Sequence, residues 1–417
     1  MKILHVVHGY HPSIGGSQWL VKNLSEQLVS RHRDQLTVFT TVAYNMEYFW
    51  GSNEPAMPTG VEQINGVTVR RFPVFNRLNT LRKLMAGGAY RLRLPYNDWL
   101  RTIQTGPVIW GMTRAVADSK ADVILAMGFP LLHMYYALAG ARRSKTPLVL
   151  LGAIHAADTW GYDRKVIYQA IQQADAYIAL TTFERDYLVG RGIPLDKITV
   201  IGAGVDIRAF AKADGARLRD RYRWEMSPVV AIMAKQTERK RFDTLLQAMQ
   251  RVWAAQPDVR LLIAGARTSY SHQLEQQISS LTPEQQERVT VLSDFAEHEK
   301  PDLLAACDVF VLPSGYESFV IAFLEAWACK KPVIGTRRGA IPSVIDEGRD
   351  GLLVTYQEAE ELAQAILALL ADPQRRAQMG EAGYQKVLEN YTWEIVADRV
   401  RAVYVEAIAR RAGYVED

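Results

Sequence analysis

The chain alternates short apolar runs with longer stretches whose apolar residues recur at helical spacing. KILHVV at 2–7 reads as a buried strand, the turn-rich GYHPSIGGSQ follows it, and a helix is expected from about Trp19 to Ser30. LTVFT at 36–40 completes a β-α-β unit. The alternation resumes at Asp122, with strands expected at 123–127, 147–151, 176–180 and 198–201. After a charged stretch at 207–227 that includes RLRDRYRWEM, strands are expected at 229–234, 259–264, 289–292, 309–312, 332–334 and 351–354. Alternation of this kind predicts an α/β protein of two doubly wound, Rossmann-like parallel sheets, with the charged stretch as the crossover. The run 123–141 lacks formal charge over a length that raises the question of a membrane span, but Gly128 and Pro130 interrupt it, so a buried strand, a turn and a core helix are expected.

Between the first β-α-β unit and Asp122 lies the least regular part of the chain, 43–111. From Arg70 to Trp110 basic side chains alternate with Phe72, Phe75, Leu78, Leu81, Leu84, Met85, Tyr90, Leu92, Leu94, Tyr96 and Trp99. Two readings stand. Basic residues beside exposed apolar ones suit docking on an anionic membrane surface; an ordinary helical hairpin on the sheet, with its arginines in water, has the same composition.

The stretch VFVLPSGYESFVIAFLEAWA, 309–328, reads as strand, turn and helix, with the helix expected from Ser318. A helix N-terminus offers unpaired N–H groups and a positive dipole end to phosphate. Glu317 would stand at the mouth of the turn and Glu325 about two turns down, roughly 10 to 12 Å along the axis. That spacing suits a nucleoside diphosphate sugar, one carboxylate on sugar hydroxyls and the other on ribose; a surface helix with two solvated acids is the plain alternative. AKQTERKRFD, 234–243, places Lys235, Arg239, Lys240 and Arg241 at another strand-to-helix turn, where they neutralise a diphosphate or are simply solvated. TRRGAIPSVI, 336–345, is a third such loop, reaching the ligand through Gly339 and Ala340. Gly15 and Gly16 allow close backbone approach before the first helix, or tight packing of loop on helix. His155 follows the PLVLL strand, at the edge where ligands bind in such sheets, and serves either a bound sugar or a loop fixed by Asp158.

A length of 417 residues exceeds one ordinary core and implies two domains. Hydrophobic content of 48% and charged content of 23% are those of a globular protein. Two cysteines, Cys307 and Cys329, both in apolar surroundings, exclude a disulfide framework and suit a reducing compartment as inert core thiols. The first apolar run is too short for a signal peptide, so a cytoplasmic protein is expected. The net charge of +4 is uneven: 22 basic against 15 acidic residues over 1–206, and 27 against 30 beyond. Residues 70–114 hold nine basic residues and one acid, Asp98. No Asp-x-Asp pair or histidine cluster has metal-ligand spacing, no G-x-G-x-x-G follows either first strand, and no nucleic-acid partner is expected.

Taken in order, these pieces resemble the family 4 glycosyltransferases, retaining enzymes of the two-domain GT-B fold. PSIGG at 12–16 is similar to their N-terminal glycine loop, and IALTTFERDYLVGRGIPLDKITVIGAGVDIRAF at 178–210 to the segment closing their first domain. AKQTERKRFD resembles their G-R-x-x-x-x-K-G loop, ESFVIAFLE their pair of glutamates eight residues apart, and YTWEIVADRVRAVY at 391–404 their last helix, which crosses back onto the first domain. The resemblance implies an acceptor-side domain at 1–206, carrying the 43–111 insertion and completed by 393–417, and a nucleotide-sugar domain at 207–392, the two facing across a cleft. It implies Glu317 on the transferred sugar, Glu325 on the ribose, Lys235 and Lys240 on the leaving diphosphate, His155 facing the donor sugar, Gly16 bordering the diphosphate, and Ser318, Phe319 and Val320 lining the donor turn. The implied activity is transfer of a hexose from a nucleoside diphosphate sugar, with retention and without metal or cofactor, to a glycan or lipid-linked acceptor of the cell envelope, at the inner face of a membrane. A sugar-nucleotide hydrolase or epimerase, or a non-catalytic sugar-nucleotide-binding subunit, would keep the same core. Three positions depart from the family pattern: Lys235 stands where arginine is usual, and Arg241 and Val320 where glycine is usual, so that Val320 is expected to narrow the pocket.

Overall fold

The computed structural model describes residues 1–13, 15–51 and 53–413. Ile14 of the PSIGG loop and residues 414–417 of the expected last helix lie outside the described residues. The chain divides into two compact units, one of residues 1–203 with 393 onward, the other Gly204–Thr392.

The first unit holds an eight-stranded sheet: β1 (Lys2–Val7), β2 (Gln35–Thr41), β3 (Gly60–Ile64), β4 (Val67–Phe72), β5 (Val123–Met127), β6 (Leu148–Leu151), β7 (Ala176–Ala179) and β8 (Ile198–Val200), in the order β3-β4-β2-β1-β5-β6-β7-β8. All neighbours are parallel except β3 and β4. β5 and β6 are buried along their whole length because helices cover both faces, which is why they read as unbroken apolar runs. The uncharged stretch 123–141 is accordingly β5, a turn and the start of helix His133–Ser144. No helix among the described residues is long and apolar enough to cross a membrane.

The 43–111 segment is more regular than its composition suggests. Its hairpin β3–β4 extends the sheet, so Arg70 and Arg71 sit on a strand, and Arg71 is buried against Glu62 at 2.6 Å. The hairpin escapes a pattern search because edge strand β3 is exposed along nearly its whole length and shows no apolar alternation. Beyond it come helices α2 (Asn79–Arg91) and α3 (Asn97–Thr105), following α1 (Gly16–His32) in chain order. The last helix, Trp393–Ala412, lies on the sheet beside α1: Trp393 packs on Trp19 with ring centroids 5.0 Å apart, and Tyr404 Oη meets buried His5 Nε2 at 3.0 Å.

The second unit holds six parallel strands: β9 (Val229–Met233), β10 (Arg260–Ala264), β11 (Val289–Leu292), β12 (Val309–Val311), β13 (Val333–Thr336) and β14 (Gly351–Val354). Their order is β11-β10-β9-β12-β13-β14, so the order in which successive strands are laid down reverses between β9 and β12 while all run parallel. In such sheets the crevice beyond the carboxyl ends of those two strands is where ligands bind. The helices after β9 and β12, and the one before β12, are α4 (Phe242–Ala255), α5 (Lys300–Ala306) and α6 (Ile321–Ala328) in chain order. α6 is held firmly: the Trp327 indole donates to Asp350 O at 2.9 Å and lies where any side chain at Gly383 would strike it.

One expectation is corrected. The helix begins at Ile321, not Ser318, and Ser318–Val320 lie outside it in the turn that leads into it. Phe319 and Val320 are 8% and 3% exposed, and Phe319 meets the Tyr391 ring at 5.8 Å, so burying these two side chains wins over an earlier helix start. Glu325 therefore stands about one turn into the helix, not two.

Candidate functional site at the switch point of the second sheet

The loops that leave β9 and β12 meet at the crossover point and bring Lys240 and Glu317 together. Lys240 ends a short 3-10 turn, Glu238–Lys240, and its Nζ donates to Glu317 Oε1 at 2.5 Å. Ser314, fully buried, places its Oγ 2.5 Å from the same oxygen and 3.1 Å from Arg239 O, while Thr336 Oγ1 donates to Ser314 O at 2.6 Å. One serine thus ties together the loops after β9 and β12 and the last residue of β13. Among the described residues no hydrogen bond reaches Glu317 Oε2, which leaves it available to ligand hydroxyls. Burial pushes the Glu317 carboxyl up, but Lys240, Arg239 and the hydrogen bonds from Lys240 and Ser314 outweigh it and hold the group below the ordinary carboxylate range. Lys235 and Arg239 are exposed on the same loop.

Glu325, 6% exposed, belongs to a second pair. Lys300, the first residue of α5, reaches its Oε1 at 2.9 Å and Glu297 Oε1 at 2.5 Å. Burial raises the Glu325 carboxyl and Lys300 offsets this only in part, so the group lies above its usual range. Lys300 itself is lowered by burial and more than restored by its two carboxylates.

Arg241 lies in the left-handed region at φ 57, where an L side chain costs about 1–2 kcal/mol and glycine costs little. Its guanidinium turns onto Asp243 at 2.5 Å and stands 5.9 Å from the Tyr356 ring centre, contacts that help offset this strain. Val320 needs no glycine: its φ of −107 and ψ of 87 are open to any residue, and its side chain is packed inside the unit. In the 336–345 loop Gly339 adopts φ 59 and passes close to the 315–317 backbone, whereas Ala340 is buried and faces away from solvent. Arg338 stacks between Tyr316 and Tyr356, with its guanidinium 4.6 and 4.3 Å from the ring centres.

The other two expected residues lie in the first unit. Gly16 opens α1 with nothing within 4 Å of where a Cβ would be, so space is free above the helix start. Gly15, by contrast, is hemmed in by Gln18, whose Oε1 lies 2.4 Å from where its Cβ would be. His155 follows β6, packs edge-on against Tyr162 at 5.4 Å, and its carbonyl accepts from the Asp158 N–H at 2.9 Å. Cys307 and Cys329 are unpaired, and burial raises both thiols to about 12.

Two contributors are absent from the sequence reading. Ser314 falls there only within the turn after the strand, and its bond to the Glu317 carboxylate is side chain to side chain and follows no local pattern. Lys300 gives no sign of its pairing with Glu325, which is 25 residues away on another element.

A doubly wound sheet with a basic and an acidic loop crossing at its switch point defines an α/β domain for a phosphorylated ligand. Two family models match the chain, the glycosyl transferase 4-like domain over residues 15–204 and glycosyl transferases group 1 over residues 216–386. The chain belongs to the group 1 glycosyltransferases of family 4, whose two Rossmann-like domains make up the GT-B fold. Relatives include the alpha-maltose-1-phosphate synthase of Mycolicibacterium smegmatis, 33% identical over 56% of this chain and 64% of that protein. Another is the GDP-mannose-dependent monoacylated alpha-(1-6)-phosphatidylinositol monomannoside mannosyltransferase of Corynebacterium glutamicum, 32% identical over 48% of this chain and 53% of that one. The match thus spans less than two-thirds of either relative. Similar solved structures include Anabaena HepE in complex with UDP and glucose, with a TM-score of 0.72 at 19% identity over 97% of this chain and all of that one. Sucrose-phosphate synthase from Thermosynechococcus elongatus gives 0.73 at 19%, over 98% of this chain and all of that one. At that identity the likeness is one of fold.

Proposed function

We propose that the protein transfers a hexose from a nucleoside diphosphate sugar, with retention of configuration, to a glycan or lipid-linked acceptor. The observation that carries this reading is the Lys240–Glu317–Ser314 constellation at the switch point. As the glycosidic bond breaks, negative charge gathers on the leaving diphosphate, and Lys240, Lys235 and Arg239 stabilise it more in the transition state than in the ground state. Glu317, fixed through one oxygen, offers the other to sugar hydroxyls, and Glu325 takes the ribose. Side-chain cations take the place of a bound metal, and turnover unchanged in EDTA is expected. The complexes of HepE with UDP and UDP-glucose support a nucleotide-sugar donor.

The acceptor side points to a membrane surface. Leu78, Leu84, Leu92, Tyr96 and Trp110 of the first unit are each more than 60% exposed, beside exposed Arg77, Lys83, Arg91 and Arg93, and no acid occurs from residue 70 to 97. The phosphatidylinositol mannoside mannosyltransferases among the relatives support a lipid-linked acceptor and a peripheral place on the inner face of a membrane.

A thermal-shift series over UDP, GDP and ADP sugars, followed by NMR of the product anomer, tests the reading. Stabilisation by one donor and an α-configured product are expected. Rapid donor turnover without acceptor would replace transfer by hydrolysis or epimerisation, and donor binding without transfer to any lipid or lysate acceptor would make this a binding subunit.

A further inference from the structure

We propose that a groove along α2 in the first unit binds one hydrocarbon chain of an anionic, phosphate-bearing lipid. The groove has a volume of about 720 Å³ and is lined by Lys83, Leu84, Gly87, Gly88, Tyr90 and Trp160, with Thr80 and Arg91 at its ends. Positions 80, 83, 84, 87, 88 and 91 recur every three or four residues, so they form one stripe running roughly 16 Å along the helix. Its floor is open because of the two glycines: a Cβ at either would meet nothing within 4 Å. Consecutive glycines weaken a 13-residue helix, and what they provide here is the hollow.

The wall is rigid and apolar. Tyr90 and Trp160 meet edge to face at 4.6 Å, and both rest on the guanidinium of Arg101, 4.8 and 5.2 Å from their ring centres. Arg101 is buried and fixed by Asp98 at 2.6 Å and Trp160 O at 2.8 Å, so the aromatic pair is held in place before any ligand arrives. A sugar would find few hydrogen-bond partners on leucine, glycine and two ring faces, whereas a hydrocarbon chain fits them. Lys83 and Arg91, both exposed and eight residues apart, lack ion-pair partners among the described residues and stand ready for a phosphate. The occupant is therefore a chain attached to an anion. This deepens the lipid-facing part of the proposed function and is independent of the donor site.

The test uses a single-chain lysophosphatidylglycerol brominated on its acyl chain, added below its micellar concentration, with tryptophan quenching as the readout. Saturable quenching is expected, with most of its amplitude lost in Trp160→Phe. Gly88→Leu and Gly87→Leu fill open space and favour the helix, so they should fold as the parent does by circular dichroism while weakening lipid binding at least tenfold. Lys83→Glu should weaken it several-fold, with a steeper loss in salt-free buffer. Unsaturable quenching, equal affinity in both leucine variants, or full amplitude in Trp160→Phe would overturn the groove. A donor thermal shift on the same samples separates the two proposals: a shift without quenching sinks only the groove, and quenching without a shift sinks only the sugar-nucleotide reading.

Discussion

Replacing Lys300 by methionine keeps the length of the side chain and removes the cation beside Glu325. The two side chains are 16% and 8% exposed, so the carboxylate is left in a desolvated site with no partner of opposite charge. Breaking a buried pair from one side typically costs about 3–5 kcal/mol. Here the loss has a ceiling, because Glu325 can escape by taking a proton. Protonating a carboxyl of ordinary pKa at pH 7 costs about 3.7 kcal/mol at 1.36 kcal/mol per unit, and at pH 5 only about 1 kcal/mol. The sign follows: a carboxyl raised in the folded state holds a proton that the unfolded chain releases, so stability falls as pH rises between the unfolded and folded pKa values. Lys300→Met should therefore lose about 3 kcal/mol at pH 7, or roughly 6–12 °C in the unfolding of the second unit, and about 2–4 °C at pH 5. Scanning calorimetry at the two pH values reads this directly. Lys300→Met with Glu325→Gln removes the carboxylate as well, and its deficit should be smaller and flat with pH. An equal deficit at pH 5 and 7, or one unrelieved in the double variant, would refute the account of Lys300 as the group that keeps Glu325 ionised.

Glu317→Gln should lower transfer by at least about 100-fold while leaving the donor thermal shift largely intact, since it removes the charge aimed at the reacting sugar and keeps the shape. Loss of donor binding with unchanged turnover per bound donor would instead make Glu317 a binding residue only. In the first unit His5 and His8 are held by burial at pKa values of about 3, and His133 at about 4. A histidine depressed in the fold takes its proton only in the unfolded chain, so stability is full above pH 6.5 and drops as pH falls. At pH 5.5 each costs roughly 1.4 kcal/mol and the three together about 4 kcal/mol, a loss of the first unit's thermal transition that Lys300→Met does not share. Reversing two exposed cations, Arg77→Glu with Arg93→Glu, should weaken flotation on vesicles containing phosphatidylglycerol by about 30-fold or more at low salt, at about 1 kcal/mol per basic residue. Unchanged flotation would remove the membrane surface from the reading.

The interior strands of both sheets were legible because they are covered on two faces and leave unbroken apolar runs; β5 and β9 begin and end within a residue of expectation. β3 was not, being an exposed edge strand whose pairing with β4 satisfies its backbone without burying its side chains. The start of α6 was misplaced because Phe319 and Val320 satisfy a helical pattern, but each is buried from the turn ahead of the helix. At the candidate site, residue types and loop order pointed to Lys240 and Glu317, whereas Ser314's role in joining two loops to the end of β13 depends on strands that are neighbours only in the folded sheet.

The amino-acid sequence by itself determined two parallel α/β units, the basic and acidic loops that follow their strands, and the surplus of arginine, lysine and apolar residues in the first unit, because local periodicity and composition record which side chains meet water. Only the tertiary structure decided which charges are paired. Lys240 and Glu317 stand 77 residues apart and Lys300 and Glu325 stand 25 apart, and their contacts depend on the strand order β9-β12 and on where α5 begins. It also decided that Gly87 and Gly88 face a hollow, since the emptiness beside a glycine is set by what packs around it.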